Sequence, residues 1–547
     1  MERDDHDFYA KANLHIGDFV LLQLCKPMSG WLSAEGLLDS ECYITNESDN
    51  FDNCVWQVHV QNQYSAAREY KEAILLSLEA EEGQTGGSNS SDGGIKNSGT
   101  NNSSNKNTSA SKSSSEHLNQ LQRAAINEQR LNDKLMMLKT GKTVVYGDPV
   151  QLRHVKSGKF LTVSASSLAK DERENMLVNL DQDGDSLSCV GFLPRYKYER
   201  EGQPIPNRAE MVVRVHERPG EFLHAASSSQ NTFDTKTEVN CSLESTFWSV
   251  HLYQRASDMQ TNAVLAGQLV TLQDPDSLMC ITLDRPFPAD AADAAVVMSP
   301  NLKANMLEEG EGTNLMWTIE KVEATKGGPV RIGSDLLVLR DLNSGRYLRI
   351  EPEGVVAVRN RADASSLEFH LSPKNGMQRT HLIERDSSIN VCCNGLWFGQ
   401  ADKSKNQVTT ECVGRLDKGQ AVSLQINCIM GHSQSVNVHV GVQATASLRK
   451  LLSVAKDFEN NSVPLRAFSI VVKESLSILE NICSFLAMVD TSVSDDAIEV
   501  TGSGGKAAIT ARQNMVREQG LVDAVLDIIE LTEQNLFDAL QAQMPVK

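Results

Sequence analysis

Five histidines, His15, His154, His216, His224 and His381, stand in or beside alternating strand patterns. An imidazole there could serve as acid or base if a nucleophile accompanied it. None does in a recognisable frame: the chain holds no G-x-S-x-G, no G-x-x-x-x-G-K and no H-E-x-x-H. The histidines therefore read as core or surface residues, and no enzyme is expected. Asp181-Gln182-Asp183-Gly184-Asp185 opens like a calcium loop, but its twelfth position is Phe192 instead of Glu. Strand patterns flank it where helices should, so it reads as a turn. The 11 cysteines are scattered, with one adjacent pair, Cys392-Cys393, and no C-x-x-C. That usage predicts reduced, mostly buried thiols in a cytosolic protein, with no metal site and no cofactor.

The elements that must carry any site come from one repeated phrase. Val150-Gln151-Leu152-Arg153-His154 alternates, turns through Lys156-Ser157-Gly158-Lys159, and resumes at Phe160-Leu161-Thr162-Val163. Leu336 to Ile350 repeats it, and looser copies begin near 18, 211 and 268. Each closes on a strand with an aromatic, as in Cys54-Val55-Trp56, Phe247-Trp248, Met316-Trp317 and Glu368-Phe369. Two strand patterns joined by a short glycine-containing turn signal a hairpin, and a hairpin at regular intervals signals a repeat fold. A lone hairpin cannot bury its apolar face, whereas three around a pseudo-threefold axis can. The copies group as 18, 150 and 211, then 268, 336 and a degenerate third from about 380 to 424. Two β-trefoils are expected, against a generic all-β sandwich as the alternative.

The chain has 547 residues, 40% of them apolar, and a net charge of −19. Length suggests several domains, and the charge argues against a nucleic-acid or anionic-membrane binder. No stretch approaches the ~18 apolar residues that span a bilayer. Residues 1–13 read as a polar tail and 14–255 as the first trefoil. A helical arm over 64–140 interrupts it, with a disordered tip at about 83–115 rich in Gly, Ser, Asn and Thr. The arm reads equally as a tolerated insertion or as a contact to a neighbour. The second trefoil runs over 266–430. Between Asp284 and Glu320 it holds seven acids against only Arg285 and Lys303. From 436 to 547 the period becomes helical: one face through Leu448 and Ala455, a break at Pro464, a second face through Phe468 and Ile482, a loop from Asp495 to Lys506, and a helix from Arg512 to Leu540. Paired amphipathic helices indicate an armadillo-like domain. No capping helix closes it, so a piece of a longer protein is expected.

Leu14-His15-Ile16-Gly17-Asp18, Ser33-Ala34-Glu35-Gly36-Leu37-Leu38-Asp39, Tyr146-Gly147-Asp148-Pro149, Leu223-His224-Ala225-Ala226-Ser227 and, far downstream, Met515-Val516-Arg517-Glu518-Gln519 resemble the N-terminal region of inositol trisphosphate receptors. Ryanodine receptors share the architecture, but the opening motifs favour the inositol trisphosphate branch. The resemblance implies a first trefoil that restrains ligand affinity, and a second trefoil, of the MIR type, that forms a ligand clamp with the armadillo-like helices. It implies a calcium channel subunit of a homo- or heterotetramer on the cytosolic face of the endoplasmic reticulum, with its membrane part beyond residue 547.

A ligand with three phosphates needs several converging Arg or Lys groups. The resemblance places a first cluster, Arg-Thr-Thr-Gly-Arg in the family, on Ser299-Pro300-Asn301-Leu302-Lys303. One charge survives there, and Pro300 has no N–H to offer a phosphate. A second cluster falls on Thr510, Asn514 and Arg517, where two of three bases are absent. A third would lie beyond the chain. Lys303 and Arg517 are the retained phosphate contacts on this alignment, or else ordinary solvated charges. Three missing contacts at about 1.5–3 kcal/mol each predict a loss of roughly three to six decades of affinity. A degenerate site is expected, in which an inositol phosphate or another anion binds weakly or not at all. A shift of the loop would bring in Arg285 instead.

Overall fold

The structure is a computed structural model. It describes residues 9, 11–25, 29–46, 51–85, 107–226, 236–285, 291–300, 311–372, 381–401, 409–429, 432–460, 462–487 and 503–531. Among these, two 12-stranded antiparallel sheets are followed by paired helices.

The strands come in six groups of four. The first sheet holds β1 (Phe19–Leu24), β2 (Gly30–Ala34), β3 (Cys42–Thr45) and β4 (Trp56–Val60). It continues with β5 (Pro149–His154), β6 (Phe160–Leu168), β7 (Met176–Asp181) and β8 (Cys189–Pro194). β9 (Glu210–Val215), β10 (Phe222–Ala225), β11 (Thr237–Ser242) and β12 (Phe247–Gln254) complete it. The second holds β13 (Leu269–Gln273), β14 (Met279–Leu283), β15 (Asp293–Pro300) and β16 (Met316–Lys321). β17 (Leu337–Asp341), β18 (Tyr347–Ile350), β19 (Val355–Val358) and β20 (Glu368–Leu371) follow. β21 (Ser388–Cys393), β22 (Leu396–Gln400), β23 (Thr410–Arg415) and β24 (Leu424–Cys428) end it.

In each group the outer two strands enter a ring and the inner two form a hairpin over its end. Pairings run β1–β4, β4–β5, β5–β8, β8–β9, β9–β12 and back to β1. The second ring runs β13–β16–β17, crosses the Leu337–Leu367 bridge to β20, and returns through β21 and β24. The hairpins meet one another, β3 and β7 both pairing with β11, and β19 and β23 both pairing with β15. Closing the ring removes edge strands, and each unit's apolar face is covered by the other two.

Two local devices recur. Each group is entered through a left-handed residue: Gly17 (φ 93°), Gly147 (91°), Arg208 (66°), Gly267 (86°), Gly333 (61°) and Asp386 (62°). Glycine takes this conformation freely, while a residue with a Cβ is strained there. The second device is a buried tryptophan in the closing strand. Trp56, Trp248 and Trp317 donate their indole N–H to the carbonyls of Leu32 (3.0 Å), Leu223 (3.2 Å) and Ile281 (3.0 Å), each in the hairpin of its own group. A buried indole must find such an acceptor. Phe192 and Phe369 fill the closing strands β8 and β20 without that need.

Between β4 and β5 stand α1 (Ser65–Thr85) and α2 (Asn107–Lys139), packed against each other. Their base is fixed. The Asn132 side chain accepts from the Gln63 N–H and donates to the Gln63 carbonyl. Glu128 accepts from the Ser65 hydroxyl and the N–H groups of Ala66 and Ala67, capping α1 from the neighbouring helix. The sequence predicts 83–115 to be without structure. Instead, 83–85 and 107–115 are helical, since extending a formed helix costs little compared with starting one. Residues 86–106 lie outside the described residues.

The C-terminal part holds α3 (His432–Glu459), α4 (Leu465–Ala487), α5 (Ser503–Glu518) and α6 (Leu521–Leu531). Pro464 separates α3 from α4, as the sequence predicts. The glycine-rich loop predicted to last until Lys506 gives way to helix at Ser503. The single helix predicted from Arg512 is cut at Gly520, whose φ of 80° ends α5. Leu38, from the loop between β2 and β3, enters the helical core beside Val440, Ala444, Ile478 and Ile482.

Candidate ligand cleft

Of the residues singled out by sequence, two lie on β15 and three on α5. Ser299 and Pro300 end β15, half-exposed, opposite Cys280 and Met279 of β14. Asn301, Leu302 and Lys303 lie outside the described residues. Thr510, Asn514 and Arg517 fall along one face of α5, the first and last exposed and Asn514 half-buried. The opposite face carries Met515, Val516 and Gln519, all buried. Arg512 belongs to that inner face. Its guanidinium stacks on Phe485 at 4.7 Å and donates to the Phe485 carbonyl at 3.1 Å. Of the two arginines on α5, one is thus turned inward and one outward.

The residue after Arg517 joins the two walls. The Glu518 carboxylate accepts from the Gly312 N–H (3.1 Å), the Thr313 N–H (3.0 Å) and the Thr313 hydroxyl (3.0 Å). Gly312 has a φ of 86°, which aims the two amides at one point. Leu269, Met316 and Leu342 of the second sheet pack on Val438 and Met515 below this clamp. The Gln519 amide donates to the Val438 carbonyl at 2.9 Å, tying α5 to α3.

Arg285, the residue that a shift of the loop would bring in, is engaged within the second sheet unit. Its guanidinium lies 3.4 Å from the carboxylate of the fully buried Asp341. Two of the seven acids counted between 284 and 320 are paired in three dimensions. Asp293 pairs with Arg349 of β18 (3.2 Å), and Glu320 pairs with Arg340 of β17 (2.8 Å) and with Arg361. A count along the chain misses cations supplied by neighbouring strands.

Two further junctions were not recognised as sites from the sequence. Asp52, of the first sheet, lies 3.0 Å from Lys156 and 3.6 Å from Arg340 of the second sheet, with His439 of α3 beside them. Burial pushes the Asp52 carboxyl up, but the two cations outweigh it and hold it well below the usual range. Burial, then Lys156, pushes His439 down to about 3, so it stays neutral. The other junction is the loop around Leu38, where Glu35 and Asp39 meet Gln443 of α3. The Ser33–Asp39 motif was legible only as a resemblance.

The remaining sequence candidates resolve as structure. Buried His154 is held by Ser157 and the Asn53 carbonyl, and burial pushes it down to about 3. His224 bonds Thr246, and His15 lies by Asp18. Asp181 accepts from the N–H groups of Asp183 and Gly184, which makes that stretch a turn. None of the 11 cysteines forms a disulfide with another. Among the described residues no group of three or more His, Cys, Asp and Glu could hold a metal ion, and no helix is long and apolar enough to cross a membrane.

Two ring-and-hairpin sheets thus both contact one helical unit, the first through Leu38 and the second through Leu269, Met316 and Leu342. Residues 10–259 match the family described as inositol 1,4,5-trisphosphate/ryanodine receptor. The chain is 27% identical over 366 residues to the inositol 1,4,5-trisphosphate receptor itr-1 of Caenorhabditis elegans, covering 63% of this chain and 12% of that relative. Both comparisons make the chain similar to an N-terminal region of inositol trisphosphate receptors.

Proposed function

We propose that the chain is the ligand-sensing and gating region of a calcium-release channel on the cytosolic face of the endoplasmic reticulum, and that its inositol trisphosphate site has degenerated. The two sheets are β-trefoils on this reading, supported by their closed rings of six strands, three capping hairpins and six matching left-handed entry turns. The paired helices α3 to α6 are an armadillo-like clamp, whose ligand would lie between them and the second trefoil. The observation that carries degeneracy is the outward face of α5, where Thr510 and Asn514 stand beside Arg517 and, among the described side chains, no second cation. A polyphosphate gathers its affinity from several charge-assisted contacts, and one exposed arginine with Lys303 supplies too few. Gating then comes through other subunits of a homo- or heterotetramer, or through a different anion. On this reading the helical arm touches a neighbour, and the hydrogen bonds of Asn132 and Glu128 that fix its base support it.

Isothermal titration of inositol trisphosphate into the 547-residue chain at low salt, with heparin as a polyanion control, tests the reading. No heat at hundreds of micromolar is the expected result. Submicromolar binding would overturn it and make the chain an ordinary ligand-gated sensor with a shifted site.

A further inference from the structure

The loop from Glu35 to Asp39 is the first sheet's plug into the helices. Leu38 is buried among α3 and α4 side chains, its carbonyl accepts from Asn481 of α4 at 2.6 Å, and its N–H donates to the Gln443 carbonyl oxygen at 3.3 Å. The same Gln443 turns its amide nitrogen toward two carboxylates at once, Glu35 Oε2 at 3.0 Å and Asp39 Oδ2 at 3.1 Å. The other Asp39 oxygen takes the Gly36 N–H at 3.0 Å. Two acceptor-only groups of like charge thus converge on one neutral amide at the contact between two folding units. A proton on the Asp39 carboxylate removes the like-charge repulsion.

We infer that this Glu35–Asp39–Gln443 junction is a proton-responsive joint, which docks the first sheet unit on the helical unit more tightly when one of its carboxylates is protonated. The charged groups around it do not cancel the pair. On the first sheet, Lys236 reaches Glu35 at 3.3 Å, Glu41 adds a further negative charge, and Lys170 is occupied by Glu41. Lys159 gives its ammonium to the Asp39 carbonyl rather than to the carboxylate. Among the described residues, the helices bring the neutral amides of Gln443 and Asn481 to the contact, while Glu474 of α4 acts on Lys170. A cavity of about 500 Å³, lined by Leu37, Asp39, Lys159, Asn481 and Phe485, opens beside Asp39 and lets protons exchange. Burial first, and then the Glu35 charge, push the Asp39 carboxyl up to about 6.

The sign follows from linkage. A carboxyl whose pKa is higher docked than free takes up a proton on docking, so acid strengthens docking. Strengthening is complete below the ordinary carboxylate range and is lost as pH rises through about 6. From pH 7 to pH 6 the docking constant should rise about twofold, and by pH 5 about tenfold.

Amide hydrogen exchange in the intact chain between pH 5 and pH 7.5 tests this, corrected for intrinsic rates, with β17 amides as reference. In the wild type, protection of Leu38 and of α3 around Gln443 should grow on acidification by those factors. Asp39→Asn should flatten the slope and dock at pH 7 at least as tightly as the wild type does at pH 5. An equal slope in Asp39→Asn, or protection that falls with acid in the wild type, would overturn the inference. If Asp39→Asn does not fold, Gln443→Glu carries the test. A third carboxylate must weaken docking at pH 7 and keep or steepen the slope, and a flat slope there refutes the joint. The readout does not involve the ligand cleft, so it stands or falls apart from the degenerate-site reading.

Discussion

Glu518 is the most exposed point of failure in the clamp, because one side chain joins the helical wall to the sheet wall. Its carboxylate takes three donors from the Gly312–Thr313 turn. Hydrogen bonds to a charged group contribute about 1.5–3 kcal/mol each when removed singly. The three share one acceptor, so they do not add, and Glu518 is only half-buried, so water replaces part of the loss. Glu518→Ala should therefore cost about 2–4 kcal/mol, and Glu518→Gln, which keeps one oxygen and loses the charge, about half of that. Equilibrium urea unfolding measures the total. Hydrogen exchange at Gly312 and Thr313 shows where it is lost, since both amides should lose protection while β21 amides keep theirs. A change under about 0.5 kcal/mol with both amides still protected would show that the turn is held by other contacts and that Glu518 does not join the walls.

Three further perturbations follow from close approaches and charge. Gly441→Ala in α3 should destabilise by about 1–3 kcal/mol, although Ala favours a helix by about 1 kcal/mol over Gly. Its Cβ would lie 1.8 Å from Gln519 Oε1 and 3.1 Å from Val516. Adding Gln519→Ala should recover most of the Gly441→Ala penalty, which thermal unfolding of the four-member cycle would reveal as coupling. Below pH 4 the Asp52 junction should weaken. A carboxylate held low by Lys156 and Arg340 contributes stability that is full above its unfolded value and is lost as pH falls, so Asp52→Asn should flatten the acid limb of a pH–stability curve. Asp386→Gly should raise stability by up to about 1 kcal/mol by relieving a left-handed Cβ; a fall in unfolding temperature would show that the Asp side chain holds the turn.

The repeat was legible because each copy must solve the same local problem. A left-handed residue opens the unit, alternation fixes which face is buried, and an aromatic closes it. Gly17, Gly147, Gly267 and Gly333 could have been found as a series. Arg208 and Asp386 could not, since nothing in their identity announces a positive φ. The break at Gly520 was available in principle, but a helical period running past it masked it. At the cleft, the positions on α5 came only from the family resemblance, and the inward turn of Arg512 was not legible at all. Whether an arginine points into a core depends on what faces it, and Phe485 comes from another helix.

The sequence by itself determined the repeated hairpins with their aromatic closing strands, the inserted helices and the change of period near 436. These depend on residue type and on spacings of a few residues, which set backbone conformation and the buried face directly. Only the tertiary structure decided which charges meet. Asp52 with Lys156 and Arg340, Glu320 with Arg340 and Arg361, Arg285 with Asp341, and Glu35 and Asp39 with Gln443 join residues tens to hundreds of positions apart. Coulomb and hydrogen-bond energies depend on distance in space, and sequence order constrains that distance only within one turn of helix or one hairpin.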